Sequence, residues 1–217
     1  FPGDSLASAY PLGRAHHGDY GYVHIARVIS SDIKQLHKMG LDGYISCQEL
    51  RVVFPNALPN YVMGYTLFDE SADPQALIQE YFSAAYGERA DQVLSYLNEL
   101  STLSSCDYLN GKGARTGPAI AERMEQISRL CQSASLDVPK DGSPLFWEIL
   151  QYHREYILAL SRAMGALAGG DAQQAAAGWY EMRDLICKNE QKYQPYLDVY
   201  RILEVTRKYT GFPLSEE

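Results

Sequence analysis

The stretch Gly-Tyr-Ile-Ser-Cys-Gln-Glu at residues 43–49 decides how the fold of this chain is interpreted. Its aromatic and β-branched residues follow a glycine turn and predict a short strand over residues 43–48 that ends at the carboxylate of Glu49. From Pro55 onward the pattern is helical, and we find no second strand pattern in the sequence. Because a lone strand cannot pair its backbone donors and acceptors, either the chain continues a larger sheet lying upstream or the stretch is not a strand. We take the first alternative as the prediction.

The residues before this strand predict one long loop and one helix. Residues 1–27 are rich in Gly, Pro, His and Tyr and show no period, which is typical of a functional loop. Ser30, Ser31 and Asp32 then offer N-caps for a helix over residues 30–39, and Gly40 is suited to close it. Helix, tight turn and strand together form a unit of the kind found in α/β folds.

Residues 56–210 predict six or seven helices joined by short connections. Asp73-Pro74 and Asp171 mark helix starts, the longest helix begins at Pro144 and ends at Gly169, and Pro195 interrupts the last part. Short connections favour antiparallel neighbours. We therefore predict a mainly α fold, in which an antiparallel up-and-down helical bundle at residues 56–217 follows a short α/β segment at residues 1–55.

The composition argues against several functions. The net charge is −8 with no basic stripe, which argues against a nucleic-acid partner. No stretch of 18 uncharged apolar residues is present, so we predict no membrane partner; a soluble, cytoplasmic protein is favoured, although the compartment stays open. The Cys residues are widely spaced without a CxxC pair, and we predict neither a metal site nor a cofactor. The 17 Tyr suit helix cores, and the alternative is stacking on sugar rings.

Two places in the sequence carry groups suited to chemistry. Glu49 ends the predicted strand, where the residues of parallel α/β folds face the ligand crevice. Its carboxylate can act as a general base or accept sugar hydroxyls, and the alternative is an ion pair with Arg27 or Arg51. The loop His16-His17-Gly18-Asp19-Tyr20 offers groups for proton transfer and for hydrogen bonds to sugars. His153, in the middle of the longest helix, is interpreted as a core or interface residue.

Several runs of residues resemble a known family. They are DIKQLHKMG at 32–40 followed by GYISCQE at 43–49, LPNYVMGYTLFD at 58–69, DPQALIQEYF at 73–82 and AYG at 85–87. Together they resemble the end of the barrel in proteins with the DUF4838 domain, a family similar to α-glucuronidases and other barrel glycoside hydrolases. The resemblance covers residues 15–100 and extends to the later bundle by architecture only.

The resemblance implies that residues 1–55 hold the last unit of a (β/α)8 barrel. Residues 1–27 would be the loop after the seventh strand, 30–39 the seventh helix, 43–48 the eighth strand and 58–68 the eighth helix. The loop and Glu49 would then meet at the carboxyl face of the barrel, where active sites of that fold lie. The implied site has Glu49 as a catalytic carboxylate, and its substrate-binding residues would be His16, His17, Asp19, Tyr20, Gln48 and Arg51.

The predicted function is that of the C-terminal region of a glycoside-hydrolase-like protein. It would bind a carbohydrate, with uronic acids and amino sugars as the classes considered, and its partner would be the remainder of the barrel upstream. Because glycoside hydrolysis needs two carboxylates and only Glu49 is in position, we predict that this chain alone is inactive. The alternative is a non-catalytic helical module that mediates protein contacts, since the bundle contains no catalytic constellation.

Overall fold

A computed structural model describes residues 5–13, 15–47, 51, 53–104, 114, 116–139 and 143–212. Its first part holds strand β1 (Leu6–Ala9), helix α1 (Val23–Ile33) and strand β2 (Gly43–Ser46), with short 3-10 turns at Ala15–Gly18 and His37–Met39. The helices that follow are α2 (Leu58–Phe68), α3 (Pro74–Tyr86), α4 (Ala90–Leu103), α5 (Pro118–Ser133), α6 (Pro144–Gly169), α7 (Ala172–Lys188), α8 (Glu190–Tyr193) and α9 (Val199–Thr210).

The strand near Tyr44 has a partner within the chain, so the prediction of a lone strand is wrong. Strand β1 pairs with β2 in parallel, from Leu6 opposite Gly43 to Ala9 opposite Ser46. The sequence pattern did not reveal β1, because it reads Leu-Ala-Ser-Ala and small residues give little strand preference or alternation. Within the described residues the sheet contains these two strands, and each keeps one edge without a strand partner.

Helix α1 begins earlier than predicted, and residues 1–27 are therefore not one structureless loop. The helix starts at Val23, so Ser30 and Asp32 lie inside it rather than before it. The misplaced start has a physical cause, since the group that caps α1 is a side chain further upstream, described below. Gly40 does end the 3-10 turn that follows α1, with a φ of 73° in the left-handed region that favours glycine.

The helices after Pro55 confirm the mainly α prediction. The Asp73 carboxylate caps α3 by accepting a hydrogen bond from the Gln75 backbone N–H at 3.1 Å, and Asp171 caps α7 in the same way. Helices that follow one another in the chain pack together, as α5 does with α6 and α6 with α7. The antiparallel direction and the barrel-unit resemblance stay predictions. Across the described ranges no helix is both long enough and apolar enough to cross a membrane.

One hydrophobic core joins the α/β segment to the later helices. Val23 and Ala26 of α1 and Phe54 belong to the same cluster of buried side chains as Trp147 of α6 and Trp179 of α7. Residues on both sides of position 55 thus exclude water from each other. The division into domains at that position stays a prediction.

The two faces of the small sheet have different surroundings. Tyr44 packs against a smaller apolar cluster that includes Ile29 of α1 and Met63 of α2. Side chains two residues apart share a face of a strand, and residues in register across the pair point the same way. Leu6 and Ile45 therefore lie on the opposite face, where they are 60% and 54% exposed. Helices cover one face of the sheet, and the other face is open and partly apolar.

Candidate functional site

The two strands end at the same edge of the sheet, and the segments that leave this edge lie side by side. We call it the carboxyl edge, because β1 and β2 are parallel and the carboxyl ends of both strands lie there. The Cys47 N–H donates to the Ala9 carbonyl at 2.9 Å just beyond the strands. Further along, the Asn56 side-chain amide donates to the Gly21 carbonyl at 3.4 Å. The described residues of 10–22 and of 47–57 therefore form one continuous region of the molecule.

The predicted catalytic residue cannot be placed in this region. Glu49 and Gln48 lie outside the described residues, and their roles stay predictions. Arg51 is described and its side chain is exposed to solvent. The chain enters the edge at Cys47 and returns to it at Phe54, whose ring is buried. The described residues Cys47 and Phe54 therefore both lie beside the 10–22 segment.

Asp19 is used as the cap of helix α1. One carboxylate oxygen, Oδ1, accepts hydrogen bonds from the backbone N–H groups of Gly21 and Tyr22 at 3.2 and 3.0 Å and from the Ser101 hydroxyl at 2.5 Å. The other, Oδ2, accepts from the Ile25 N–H at 2.7 Å. Ile25 lies in the first turn of α1, whose N–H groups a helix leaves unpaired, while Gly21 and Tyr22 lie in the turn just before it and Ser101 lies on α4. Burial raises the pKa of the Asp19 carboxyl, and the hydrogen bonds from Ser101, Ile25 and Gly21 oppose that shift.

The turn at residues 19–22 packs closely against helix α4. A Cβ atom built on Gly21 would lie 1.8 Å from the Leu97 carbonyl oxygen, so no larger residue fits without moving the backbone. Tyr22 adopts a φ of 63°, which is uncommon for a residue with a side chain. The Ser101 hydroxyl also accepts a hydrogen bond from the Val23 N–H at 3.1 Å. The turn is therefore held in place by the bundle as well as by its own cap.

His16 and His17 lie beneath the surface in this conformation. Their side chains are 1% and 8% exposed, and the centroids of the two rings are 4.1 Å apart. The His16 ring also meets the ring of Tyr22 edge-on at 5.5 Å. The Tyr20 hydroxyl donates to the Met164 sulfur at 3.5 Å, which directs that side chain into the bundle. The four predicted loop residues are thus brought together, and all four are buried.

Two residues of helix α6 join this cluster, and the sequence analysis assigned neither of them to the site. His153 hydrogen-bonds the backbone of Tyr20, and burial lowers the pKa of His153 to about 3. Burial raises the pKa of Tyr156 to about 12, and its hydroxyl is hydrogen-bonded to the Thr206 side chain. The prediction that His153 is buried in the core is confirmed, since it is 2% exposed. Its contact with the loop could not be seen from sequence, because it joins residues far apart in the chain.

An exposed aromatic residue at the carboxyl edge was also missed. Tyr10 follows Ala9 directly, and its side chain is 65% exposed. The sequence signal was available, since a Tyr after a strand at this edge suits stacking on a ligand ring. It went unused because β1 was not recognised.

The cavities in the described part of the chain include the following three. One of about 10 Å³ lies beside the buried cluster and is lined by His17, Asp19, Tyr20, Tyr22, Phe54, Pro55, His153, Tyr156, Ile157 and Ile202. A groove of about 280 Å³ lies at the opposite end of β2, between Gly43 and Phe68. A third, of about 520 Å³, lies between α6 and α7. No group of three or more His, Cys, Asp or Glu side chains suited to a metal ion occurs among the described residues.

No protein-family model, no curated protein and no solved structure matches this chain. The resemblance to DUF4838 proteins therefore rests on the quoted runs of sequence and stays a prediction. The same holds for the glycoside-hydrolase-like function.

Proposed function

We propose that this chain forms the end of a barrel-like, carbohydrate-active protein and that its carboxyl edge contributes to the sugar-binding face. The observation that carries the proposal is a parallel strand pair covered by helices on one face only. Parallel sheets normally have both faces covered, either by helices or by the interior of a closed barrel. A β-α-β-α order with one bare face is what one sector of a (β/α)8 barrel presents.

The bare face fits the inside of a barrel. Leu6 and Ile45 point there, and barrel interiors are filled by layers of such side chains from alternating strand positions. Their exposure leaves apolar surface in water that further strands would cover. The free strand edges would receive backbone hydrogen bonds from those strands. The partner implied by this geometry is the remainder of the barrel.

The residues at the carboxyl edge divide into two groups by exposure. Tyr10 and Arg51 are exposed and can meet a sugar directly, by ring stacking and by hydrogen bonds to a carboxylate or hydroxyl. Glu49 and Gln48 are adjacent in sequence to this surface and are proposed to contact the sugar as well. His16, His17, Asp19 and Tyr20 are buried, and we propose that in this conformation they shape the loop that supports the contacts.

Hydrolysis by this chain alone is not part of the proposal. Retaining and inverting glycosidases use two carboxyl groups about 5–10 Å apart. Asp19 is committed to capping α1, so it cannot serve as the second carboxylate in this conformation. The second group would come from a strand elsewhere in the barrel. Sugar binding is therefore the property to test on the chain itself.

The test is a titration of the ¹⁵N-labelled chain with uronic-acid and hexosamine oligosaccharides, followed by NMR. Binding is expected to shift amide signals at residues 10–22 and 47–51 and to leave α5 unchanged. The substitution Tyr10→Ala should weaken the binding roughly tenfold, because it removes an exposed aromatic face, and stacking of a nucleic-acid base on such a face is worth about 1–3 kcal/mol. Phe68→Ala is the matched control, since Phe68 is 91% exposed and lies by the groove at the opposite end of β2.

A second pair of variants tests the predicted carboxylate. Glu49→Gln should reduce affinity for the sugar, or turnover in the longer protein, while Glu122→Gln on the exposed side of α5 should have no effect. Equal affinities for the two variants would remove Glu49 from the site. An absence of shifts with every oligosaccharide would contradict sugar binding altogether.

That negative result would favour the alternative, a helical module for protein contacts. The observation that supports the alternative is the groove of about 520 Å³ between α6 and α7. Apolar Leu158 and Leu185 line it together with charged Arg162 and Glu181, a mixture typical of protein interfaces.

A further inference from the structure

His153 touches both segments that form the carboxyl edge. It lies in the middle of α6, and it hydrogen-bonds the backbone of Tyr20 in the first segment. Its ring also meets the ring of Phe54, in the second segment, edge-on at 5.3 Å. One buried side chain of the bundle thus joins two loops that are distant from it in sequence.

The hydrogen-bonding state of this histidine follows from its surroundings. Its Nδ1 atom is buried and has no hydrogen-bond partner among the described residues. We assign the N–H that faces the Tyr20 backbone to Nε2, and in a neutral ring this leaves Nδ1 as an acceptor. A buried acceptor without a donor costs free energy, so a donor at Nδ1 would stabilise this arrangement.

The cavity beside His153 has room for such a donor. Its volume is about 10 Å³, and its lining includes the polar residues His17, Asp19 and Tyr20 as well as His153. A cavity needs roughly 10–15 Å³ of this kind to hold one water molecule. The space is too small for any larger ligand.

We propose that His153 is a positioning residue, which ties the turn at residues 19–22 and the Phe54 segment to the bundle with a buried water molecule on its Nδ1 atom. In this arrangement Nε2–H donates to the Tyr20 carbonyl and the water donates to Nδ1. The tie itself follows from the contacts above. That the fixed turn serves sugar binding rests on the function proposed in the preceding section.

A purely apolar role for His153 makes a different prediction. If the ring only filled space, Phe at this position would fill it equally well. If the hydrogen bond to Tyr20 matters, Phe would release the turn while the rest of the bundle stayed closed. The two readings are separated by where in the chain the backbone opens.

The experiment is amide hydrogen exchange of the full chain, read by NMR, for His153→Phe, His153→Gln and Tyr152→Phe. The Tyr22 and Ile25 N–H groups donate hydrogen bonds to the Asp19 carboxylate. In His153→Phe we expect exchange of these two amides to accelerate at least tenfold relative to the amides of α7. His153→Gln keeps an N–H donor and should remain within about threefold of the wild type. Tyr152→Phe is the matched control, because the neighbouring Tyr152 hydroxyl is buried with no partner among the described residues.

Several outcomes overturn the proposal. Exchange in the turn that is equal in His153→Phe and Tyr152→Phe would show that the ring only packs. An equal acceleration of turn and α7 amides would show a loss of global stability without positioning. Should His153→Phe fail to fold, the ¹⁵N spectrum of the wild-type ring decides: a proton on Nε2 with a water contact at the ring supports the tie, and a proton on Nδ1 overturns it.

The link to sugar is tested separately. If the wild type binds an oligosaccharide, His153→Phe should bind it at least fivefold more weakly and Tyr152→Phe should bind it normally. Equal binding by the wild type, His153→Phe and Tyr152→Phe would refute the link to sugar and would not change the conclusion from hydrogen exchange. If the wild type binds no oligosaccharide, the proposed function is refuted, and hydrogen exchange still tests the positioning role of His153.

Discussion

The Asp19 carboxylate stabilises the turn that precedes helix α1. It is 2% exposed and accepts hydrogen bonds from three backbone N–H groups and the Ser101 hydroxyl. Asp19→Ala would remove the acceptor of the Gly21 and Ile25 N–H groups and of the Ser101 hydroxyl, although the Tyr22 N–H keeps its hydrogen bond to the carbonyl of residue 19. We therefore expect the free energy of unfolding to fall by about 2–4 kcal/mol. Urea unfolding measures the loss.

The control for that substitution is Asp32→Ala on the same helix. Asp32 is exposed at the other end of α1, and its removal should change the free energy of unfolding by less than about 0.5 kcal/mol. Similar losses for the two variants would mean that Asp19 does not cap α1.

His153 makes stability depend on pH in a defined direction. Burial lowers its pKa to about 3 in the folded protein, against 6.5 for the ordinary side chain. Between these values the unfolded chain binds more protons than the folded one, so this contribution to stability is present above pH 6.5 and declines as the pH falls. The free energy of unfolding of the wild type should therefore drop by about 2–3 kcal/mol more than that of His153→Gln between pH 7.5 and 4.5.

Comparison of the two proteins removes the contributions of neighbouring groups. His17, Asp19 and Tyr156 line the same cavity and are present in both proteins, so their titration largely cancels in the difference. Parallel pH profiles for wild type and variant would show that His153 is protonated in the folded state near its ordinary pKa.

At the scale of elements, the open face of the β1–β2 sheet gives a test of the barrel proposal. Ile45 is 54% exposed, so Ile45→Lys should change the stability of this chain by less than about 0.5 kcal/mol. In a longer protein that closes a barrel, the same side chain would be buried inside, and the substitution should cost about 3 kcal/mol or more. Thermal unfolding of both proteins with and without the substitution measures the difference.

A second substitution is the control for that experiment. Ile29→Lys, in the covered apolar cluster on the other side of the sheet, should be strongly destabilising in both proteins. If Ile45→Lys is tolerated equally in the short and the long protein, its face is not a barrel interior.

At the scale of the whole molecule, the shared core makes the helices depend on the α/β segment. Val23, Ala26 and Phe54 are buried in the cluster that holds Trp147 and Trp179. A truncated chain of residues 56–217 would expose the surface they cover. We expect it to lose on the order of 5 kcal/mol of stability, since burying one large apolar side chain contributes about 1.5–3 kcal/mol. Thermal and urea unfolding of the two chains tests this.

The alternative outcome is equally clear. A truncated chain that melts within a few degrees of the whole one would show that the helices form an independent domain. A chain of residues 5–217 is the appropriate control, because it keeps every described residue. A loss confined to the shorter chain would show that α1 and Phe54 are integral to the core.

The principal helices after Pro55 could be predicted from sequence, because the signals that make a helix are local. The apolar period, the caps Asp73 and Asp171 and the long run of α6 all act within a few residues of one another, and each lies where it was predicted. The same holds for β2, whose Tyr and Ile are strand formers.

The surroundings of the candidate site depend on tertiary packing, because those contacts join residues that are distant in sequence. Strand β1 carries almost no strand signal and exists because β2 pairs with it. The role of Asp19 depends on Ser101, which lies 82 positions further along the chain, and that of His153 depends on Tyr20. No local pattern encodes such partners, since they are chosen by how the helices pack. The residue types of the site could therefore be predicted from sequence, whereas their burial and their hydrogen-bond partners could not.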